Sequence, residues 1–201
     1  MHEQIDNITI DDHALVNSAK NGDSEAMGRL IIKYQDRIYN VILKICQNSS
    51  DAAELTQETF VKVLEALNSF RGKSAFYTWL FRVAVNLTLN HCKRQMTFRT
   101  QSLDWPAGGD EQVRQNLSAF LTDDRAVDPV RLVQNKEIAL LLERAIGQLS
   151  EHHRAVVVLR DIEEMTYEQI AETLNLELGT VKSRLSRARE SLREILKGVV
   201  S

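Results

Sequence analysis

The chain has 201 residues, 43% of them hydrophobic and 26% charged, with eight glycines and two prolines. That length holds one ordinary domain or two small ones, and so few breakers favour helices joined by short turns. The formal charge of −3 argues at first against a nucleic-acid binder. No apolar run approaches the roughly 20 residues that span a bilayer, and the acidic start MHEQIDNITIDD does not read as a secretory leader, so a cytoplasmic protein without membrane insertion is expected.

Apolar residues recur at helical spacing almost throughout, and no alternating strand pattern appears. A short first helix is predicted from Asp11 or Asp12 to Asn21-Gly22, where a left-handed cap fits. Leu30, Ile31, Tyr34, Ile38, Val41, Ile42 and Ile45 mark one face of a longer second helix, broken at Asn48-Ser49-Ser50. Asp51, three residues before Glu54, is placed to cap a third helix whose Ala52, Leu55, Phe60, Val63 and Leu67 face one way. Asn68 to Lys73 reads as a loop. Ser74 can then cap a fourth helix with a stripe of Phe76, Leu80, Val83 and Leu87. The four should pack as a bundle over residues 10–97.

Periodicity fades between Thr97 and Ala126, around the turn-rich Trp105-Pro106-Ala107-Gly108-Gly109-Asp110. Residues 98–128 are therefore expected to be a flexible acidic linker. Asp128-Pro129 restarts helical order, and Ile138, Leu141, Leu142, Ala145 and Leu149 carry the next helix. Three more segments follow, near Glu151 to Arg160, Tyr167 to Leu174 and Gly179 to Lys197, within a second domain over 129–200. The expected fold is all-α, with two small helical domains on one tether.

The overall charge hides a segregation. No acid lies between Glu65 and Asp104, where Arg71, Lys73, Arg82, Lys93, Arg94 and Arg99 fall. The linker is acidic, with Asp110, Glu111, Asp123 and Asp124, and near the C-terminus Lys182, Arg184, Arg187 and Arg189 cluster again. Two basic surfaces suggest two nucleic-acid contacts. At the C-terminal one, Thr166-Tyr167-Glu168-Gln169 forms a capping box, Asn175-Leu176-Glu177 a tight turn, and Val181, Leu185, Ala188 and Leu192 the inner face of a second helix. That is helix-turn-helix geometry. Thr180, Lys182, Ser183 and Arg184 stand where base edges and flanking phosphates are reached, Ser186 shares the polar face, and Arg187 and Arg189 suit phosphates.

The acid-free stretch interleaves its cations with Phe70, Phe76, Tyr77, Trp79, Phe81 and Phe98, a pattern suited to single-stranded DNA. Several of these rings also fall at core spacing, and both readings stand at this point. The loop residues Asn68, Phe70, Arg71 and Ser74 are the better candidates, because a loop can admit a flipped base. Enzymatic chemistry has little support: His13, His91, His152 and His153 lack a partnered nucleophile or carboxylate motif, and no glycine-rich phosphate loop occurs. Cys46 and Cys92 read as reduced thiols in no metal-ligand pattern. No cofactor, metal or small-molecule substrate is expected.

The residues resemble the extracytoplasmic-function sigma factors of bacteria. DAAELTQETFVKV is similar to that family's polymerase-binding helix, FRGKSAFYTWLFRVAVN to its promoter-melting segment, and LGTVKSRLSRAR to its recognition helix. The resemblance implies that Asp51, Glu54, Leu55, Gln57, Glu58, Phe60 and Val61 contact the clamp helices of the polymerase beta-prime subunit. It implies minus-ten DNA contacts for Asn68, Phe70, Arg71, Ser74, Phe76, Tyr77, Trp79 and Arg82. Thr180, Lys182, Ser183, Arg184, Ser186, Arg187 and Arg189 would read minus-thirty-five DNA beside the beta-subunit flap, and an anti-sigma factor would be a further partner. The chain departs from the family pattern at Ala53, Leu64, Asn175 and Glu177. A stand-alone helix-turn-helix regulator, dimeric on paired half-sites, is the alternative reading.

Overall fold

A computed structural model of the chain describes residues 12–101 and 140–200, with side chains for 12–97 and 140–198. Among these residues there is no strand, and the helices fall into two groups. The first holds α1 (12–20), α2 (Ser24–Cys46), α3 (Ser49–Ala66) and α4 (Phe76–Gln101). The second holds α5 (140–147), α6 (Glu151–Val157) with a π turn at Val158–Ile162, α7 (Tyr167–Leu174) and α8 (Leu178–Val200). The expected linker beyond Gln101, the helix start at Asp128-Pro129, Ile138 and the side chains of Phe98 and Arg99 lie outside the described residues.

Local chemistry sets each boundary. Gly22 takes φ +91 after α1, a conformation that costs glycine little. Asp23 caps α2, its carboxylate accepting from the amides of Glu25 (3.0 Å) and Ala26 (3.1 Å). Gln47 ends α2 in the left-handed region, its amide returning to the Leu43 carbonyl. The cap of α3 is Asn48, not Asp51: Asn48 Oδ1 accepts from the Asp51 amide at 3.0 Å. Asp51 sits within the first turn, which frees its carboxylate for partners on α4. A three-residue 3₁₀ turn, Leu67–Ser69, closes α3. Helix α4 begins one step later than Ser74 would set it, with the Trp79 amide bonded to the Ala75 carbonyl.

The expected α4 stripe proves too narrow. Phe76 and Leu80 are buried and Val83 and Leu87 half-buried, but Trp79, Phe81, Ala84, Val85 and Thr88 are buried as well. Helix α4 is covered on two sides, by α2 and α3 on one and by α7 on the other. Leu142, placed by spacing on the inner face of its helix, is instead 44% exposed, whereas Ala145, Ile146 and Leu149 are buried.

In the second group, Thr166 and Gln169 complete the predicted capping box: the Gln169 amide donates to Thr166 Oγ1 (3.2 Å) and the Thr166 amide to Gln169 Oε1 (2.8 Å). Asn175 ends α7 at φ 52, and its amide and that of Leu176 return to carbonyls of the last turn. Ile170, Val181, Leu185, Ala188 and Leu192 are buried between the helices.

The two groups do not stand apart. One contiguous apolar cluster runs through both. Across the seam Arg154 Nη1 donates to the Ile45 carbonyl at the end of α2 (2.6 Å), while Nη2 donates to the Gly147 and Leu149 carbonyls (3.1 and 2.8 Å). Arg37 pairs with Glu163 at 2.8 Å and Arg82 with Glu172 at 3.5 Å. A Cβ on Gly147 would stand 2.8 Å from Gln47 Oε1, so the Gln47 side chain at the end of α2 reaches the end of α5. The thiols lie in the same region: burial pushes Cys46 up to about 11, and burial also raises Cys92, which Arg154 pulls back.

Two measurements check this local physics. Asn175→Gly should leave urea unfolding unchanged or slightly improved, whereas Asn175→Val should lose about 1–2 kcal/mol, because a branched side chain clashes at positive φ. With Cys46 about 0.1% thiolate at pH 8, iodoacetamide should modify it about a hundredfold more slowly in the folded protein than in urea.

Candidate nucleic-acid interface

The outer face of α3 divides the seven residues implied there. Glu54, Gln57, Glu58 and Val61 are exposed, and Val61 (52%) with Leu64 (50%) forms an apolar ridge one turn apart beside Gln57. Leu55 and Phe60 are buried and hold α3 against the bundle, so they are not surface contacts as the resemblance implied. Asp51 acts as a strut, its Oδ2 accepting from Gln95 Nε2 (3.0 Å) and lying 3.2 Å from His91 Nε2 on α4. An acidic helix with an exposed apolar ridge suits a protein partner better than a polyanion.

The loop between α3 and α4 lies over an aromatic floor. The Phe70 ring stands 5.8 Å from Phe76 and 5.1 Å from Trp79, all three buried. Lys20 donates to the Phe70 carbonyl and holds its ammonium 5.4 Å from the ring centre. As arranged, then, Phe70, Phe76 and Trp79 offer no open face to a stacked base, because their apolar area is more favourably spent on one another. Tyr77 is half-buried, edge-on to Phe81 at 6.3 Å. What reaches solvent is polar: Asn68, Arg71 and Lys73 are exposed and Ser74 is half-buried. Arg82, nearly two turns into α4, is engaged by Glu172. Lys20 escaped the sequence reading because it lies fifty residues from the loop it supports.

Helix α8 keeps its basic residues outward. Lys182, Ser183, Ser186, Arg187 and Arg189 are exposed, Thr180 and Arg184 half-exposed, and the opposite face is core. Ser183 Oγ donates to the Thr180 carbonyl at 3.0 Å. Arg189 is braced by Asp161, which strengthens its hold on its proton. The Tyr167 ring is shared by two cations, Arg160 at 5.1 Å and Lys182 at 5.8 Å. Arg160 also donates to the Met165 carbonyl at 2.7 Å, tying the turn before α7. Hydrogen bonds to its own amide and to the Thr166 hydroxyl, with Lys182 and Arg160 nearby, hold the Glu168 carboxyl below the usual range. Arg160 and Tyr167 were not singled out from sequence, since only the turn between helices brings them beside Lys182. Arg160 on the π turn and Lys182 on α8 thus meet over the Tyr167 ring of the helix between them.

No cluster of three or more histidines, cysteines or acids able to hold a metal occurs among the described residues, and no described helix is long and apolar enough to cross a membrane.

Comparison with known proteins gives the arrangement its context. Residues 30–97 match the family model for sigma-70 region 2, and residues 139–192 that for sigma-70 region 4. The chain is 35% identical over 189 residues to the RNA polymerase sigma-H factor of Pseudomonas aeruginosa, covering 92% of this chain and 93% of that one. It is 34% identical over 181 residues to the ECF RNA polymerase sigma-E factor of Escherichia coli, covering 90% and 92%. Its fold is similar to that of CnrH, solved with the cytosolic domain of CnrY (TM-score 0.63, 22% identity, 94% and 98% covered). It is also similar to that of RpoE, solved with the anti-sigma factor NepR from Bartonella quintana (TM-score 0.60, 21% identity, 85% and 96% covered). Both regions occur in order, and full-length relatives exceed 30% identity: the chain belongs to the extracytoplasmic-function sigma factors of the sigma-70 family and is an alternative sigma factor, a transcription initiation factor.

Proposed function

We propose that the chain works in the cytoplasm as a non-catalytic subunit, dividing its contacts with polymerase and promoter among three surfaces. The exposed face of α3, with Glu54, Gln57, Glu58 and Val61, docks on the beta-prime clamp helices, and Leu64 extends its apolar ridge. Asp51 aligns that face from within, while Leu55 and Phe60 keep the helix in place. The loop residues Asn68, Arg71 and Ser74, with Arg82, receive the opened minus-ten strand over the floor of Phe70, Phe76 and Trp79. Tyr77 becomes available if the strand displaces its neighbours. On α8, Thr180, Lys182, Ser183 and Arg184 meet duplex bases and phosphates of the minus-thirty-five element, with Ser186, Arg187 and Arg189 along the backbone, beside the beta flap. Residues 10–97 and 129–200 form the two working domains and 98–128 the tether.

The observation that carries this reading is that one chain displays an outward cationic recognition face on α8 and a polar loop on an aromatic floor more than one hundred residues earlier. Paired and opened DNA need different readers, and these two surfaces differ in the matching way. An anti-sigma factor is a fitting regulator, since the similar folds of CnrH and RpoE were solved with the cytosolic domain of CnrY and with NepR.

In transcription with core polymerase, Arg184→Ala should lower minus-thirty-five-dependent initiation about tenfold while core binding stays intact; equal loss of both would make the residue structural. The pair Gln57→Ala and Glu58→Ala should reverse the pattern, weakening core affinity first. Arg71→Ala should slow strand opening, read by a fluorescent base in the minus-ten element, and lower the salt slope of promoter binding by about one.

A further inference from the structure

We infer that Lys20, on the last turn of α1, is a positioning residue for the loop between α3 and α4, its ammonium fixing the Phe70 backbone so that Asn68, Arg71 and Ser74 are presented to an opened strand. The role in strand capture rests on the function proposed above, but the anchoring of the loop does not.

The loop has few fastenings of its own. At its start the Phe70 amide donates to the Leu67 carbonyl at 3.1 Å, and at its end the Ala75 carbonyl accepts from the Trp79 amide at 3.2 Å. Between them, residues 71–74 make no backbone–backbone hydrogen bond to any described residue. Arg71, Gly72 and Lys73 are exposed, and the chain turns through φ +67 at Gly72. Phe76 and Trp79 hold the Phe70 ring, but packing on a ring does not orient the carbonyl of the same residue. Lys20 does. It donates to the Phe70 carbonyl and stands 5.4 Å from the centre of the Phe70 ring. One cation thus restrains the backbone and the side chain of Phe70 together, at φ −67 and ψ 113. The next residue, Arg71, leaves into solvent.

A lysine at a helix end ordinarily extends into water, whereas Lys20 turns inward and is half-buried. Its base is rigid, because α1 is fixed at three points. At the start, the buried Asp12 accepts from Lys33 Nζ at 2.7 Å and from the Tyr34 hydroxyl. Burial, and then the bond to Asp12, push the Tyr34 phenol up, which keeps it a donor. Midway, Val16 is buried in the core. At the end, the Asn21 and Asp23 amides return to the Ser18 carbonyl (3.0 and 3.1 Å) and the Gly22 amide to that of Ala19 (3.1 Å). The Tyr34 ring lies 6.0 Å from Phe76, so α1 meets the aromatic floor through Tyr34 and the loop above it through Lys20. A loop ordered beforehand loses less entropy when it captures a strand.

Lys20→Met keeps the apolar stem and removes the donor, and Lys20→Arg keeps both. Native full-length variants would be exposed to trypsin, with initial cleavage after Arg71 and Lys73 quantified by mass spectrometry. Lys20→Met should be cut there about tenfold faster than wild type at unchanged circular dichroism, and Lys20→Arg at near the wild-type rate. Each variant would then be assembled with core polymerase on a promoter carrying a fluorescent base in the minus-ten element. Lys20→Met should slow opening about fivefold and Lys20→Arg restore it, with minus-thirty-five duplex binding unchanged. The salt slope of holoenzyme binding to single-stranded minus-ten DNA should be the same in Lys20→Met and wild type. A slope lower by about 0.7 in that variant would make Lys20 a phosphate contact and overturn the positioning role. Wild-type cleavage in Lys20→Met would also overturn it, as would a loosened loop that opens promoters normally while Arg71→Ala is slow. If the loop loosens yet Lys20→Met and Arg71→Ala both open promoters at the wild-type rate, the anchoring stands and the assignment of this loop to the minus-ten strand fails instead.

Discussion

Helix α4 is the element the rest of the structure depends on, because it is buried from two directions at once. Phe76, Leu80 and Ala84 lie inside the bundle, and Phe81 and Val85 add to a burial wider than one helical stripe. A helix with one apolar face defines one core, whereas a helix apolar over most of its circumference recruits a second layer. Here that layer is α7. The same helix carries Tyr77 and Arg82, so the residues that would meet DNA are rooted in the segment that holds the two groups together.

The sequence reveals the local chemistry far better than the long-range geometry. The capping box at Thr166, the left-handed turn at Asn175 and the inner stripe of α8 are all defined by residues a few positions apart, and each is found where spacing placed it. Asn48 rather than Asp51 capping α3 shows the limit even of local signals, since two candidate caps three residues apart compete and tertiary demand for Asp51 at His91 and Gln95 helps decide between them. Phe70 looks available on a loop but is buried, because Trp79 and Phe76 approach it from the next helix. The seam was beyond reach: Arg154 bonds a carbonyl 109 positions away and Arg37 a carboxylate 126 positions away, and neither leaves a periodic trace.

A net-negative chain can still read DNA because charge acts through local surfaces and falls off over about a Debye length. On α8 the cations are also held in place, Lys182 by the Tyr167 ring, which Arg160 of the π turn shares, and Arg189 by Asp161. Ordering a long cationic side chain before it binds lowers the entropy lost on binding. The acids of the second group thus have two uses, bracing its own arginines and engaging those of the first group.

The π turn at Val158–Ile162 ends the α6 segment and sets where its last side chains point before the chain bends at Glu163. Each residue of an ordinary helix advances about 100° around the axis, and the wider π turn changes that step just where α6 ends. Just here Asp161 turns toward Arg189 while Glu163 turns toward Arg37, one partner within its own group and one across the molecule. Gain or loss of a single codon in this stretch would rotate both carboxylates together. Relatives that differ in length here would therefore differ in how α8 is braced and in how the halves adhere, as one inherited trait.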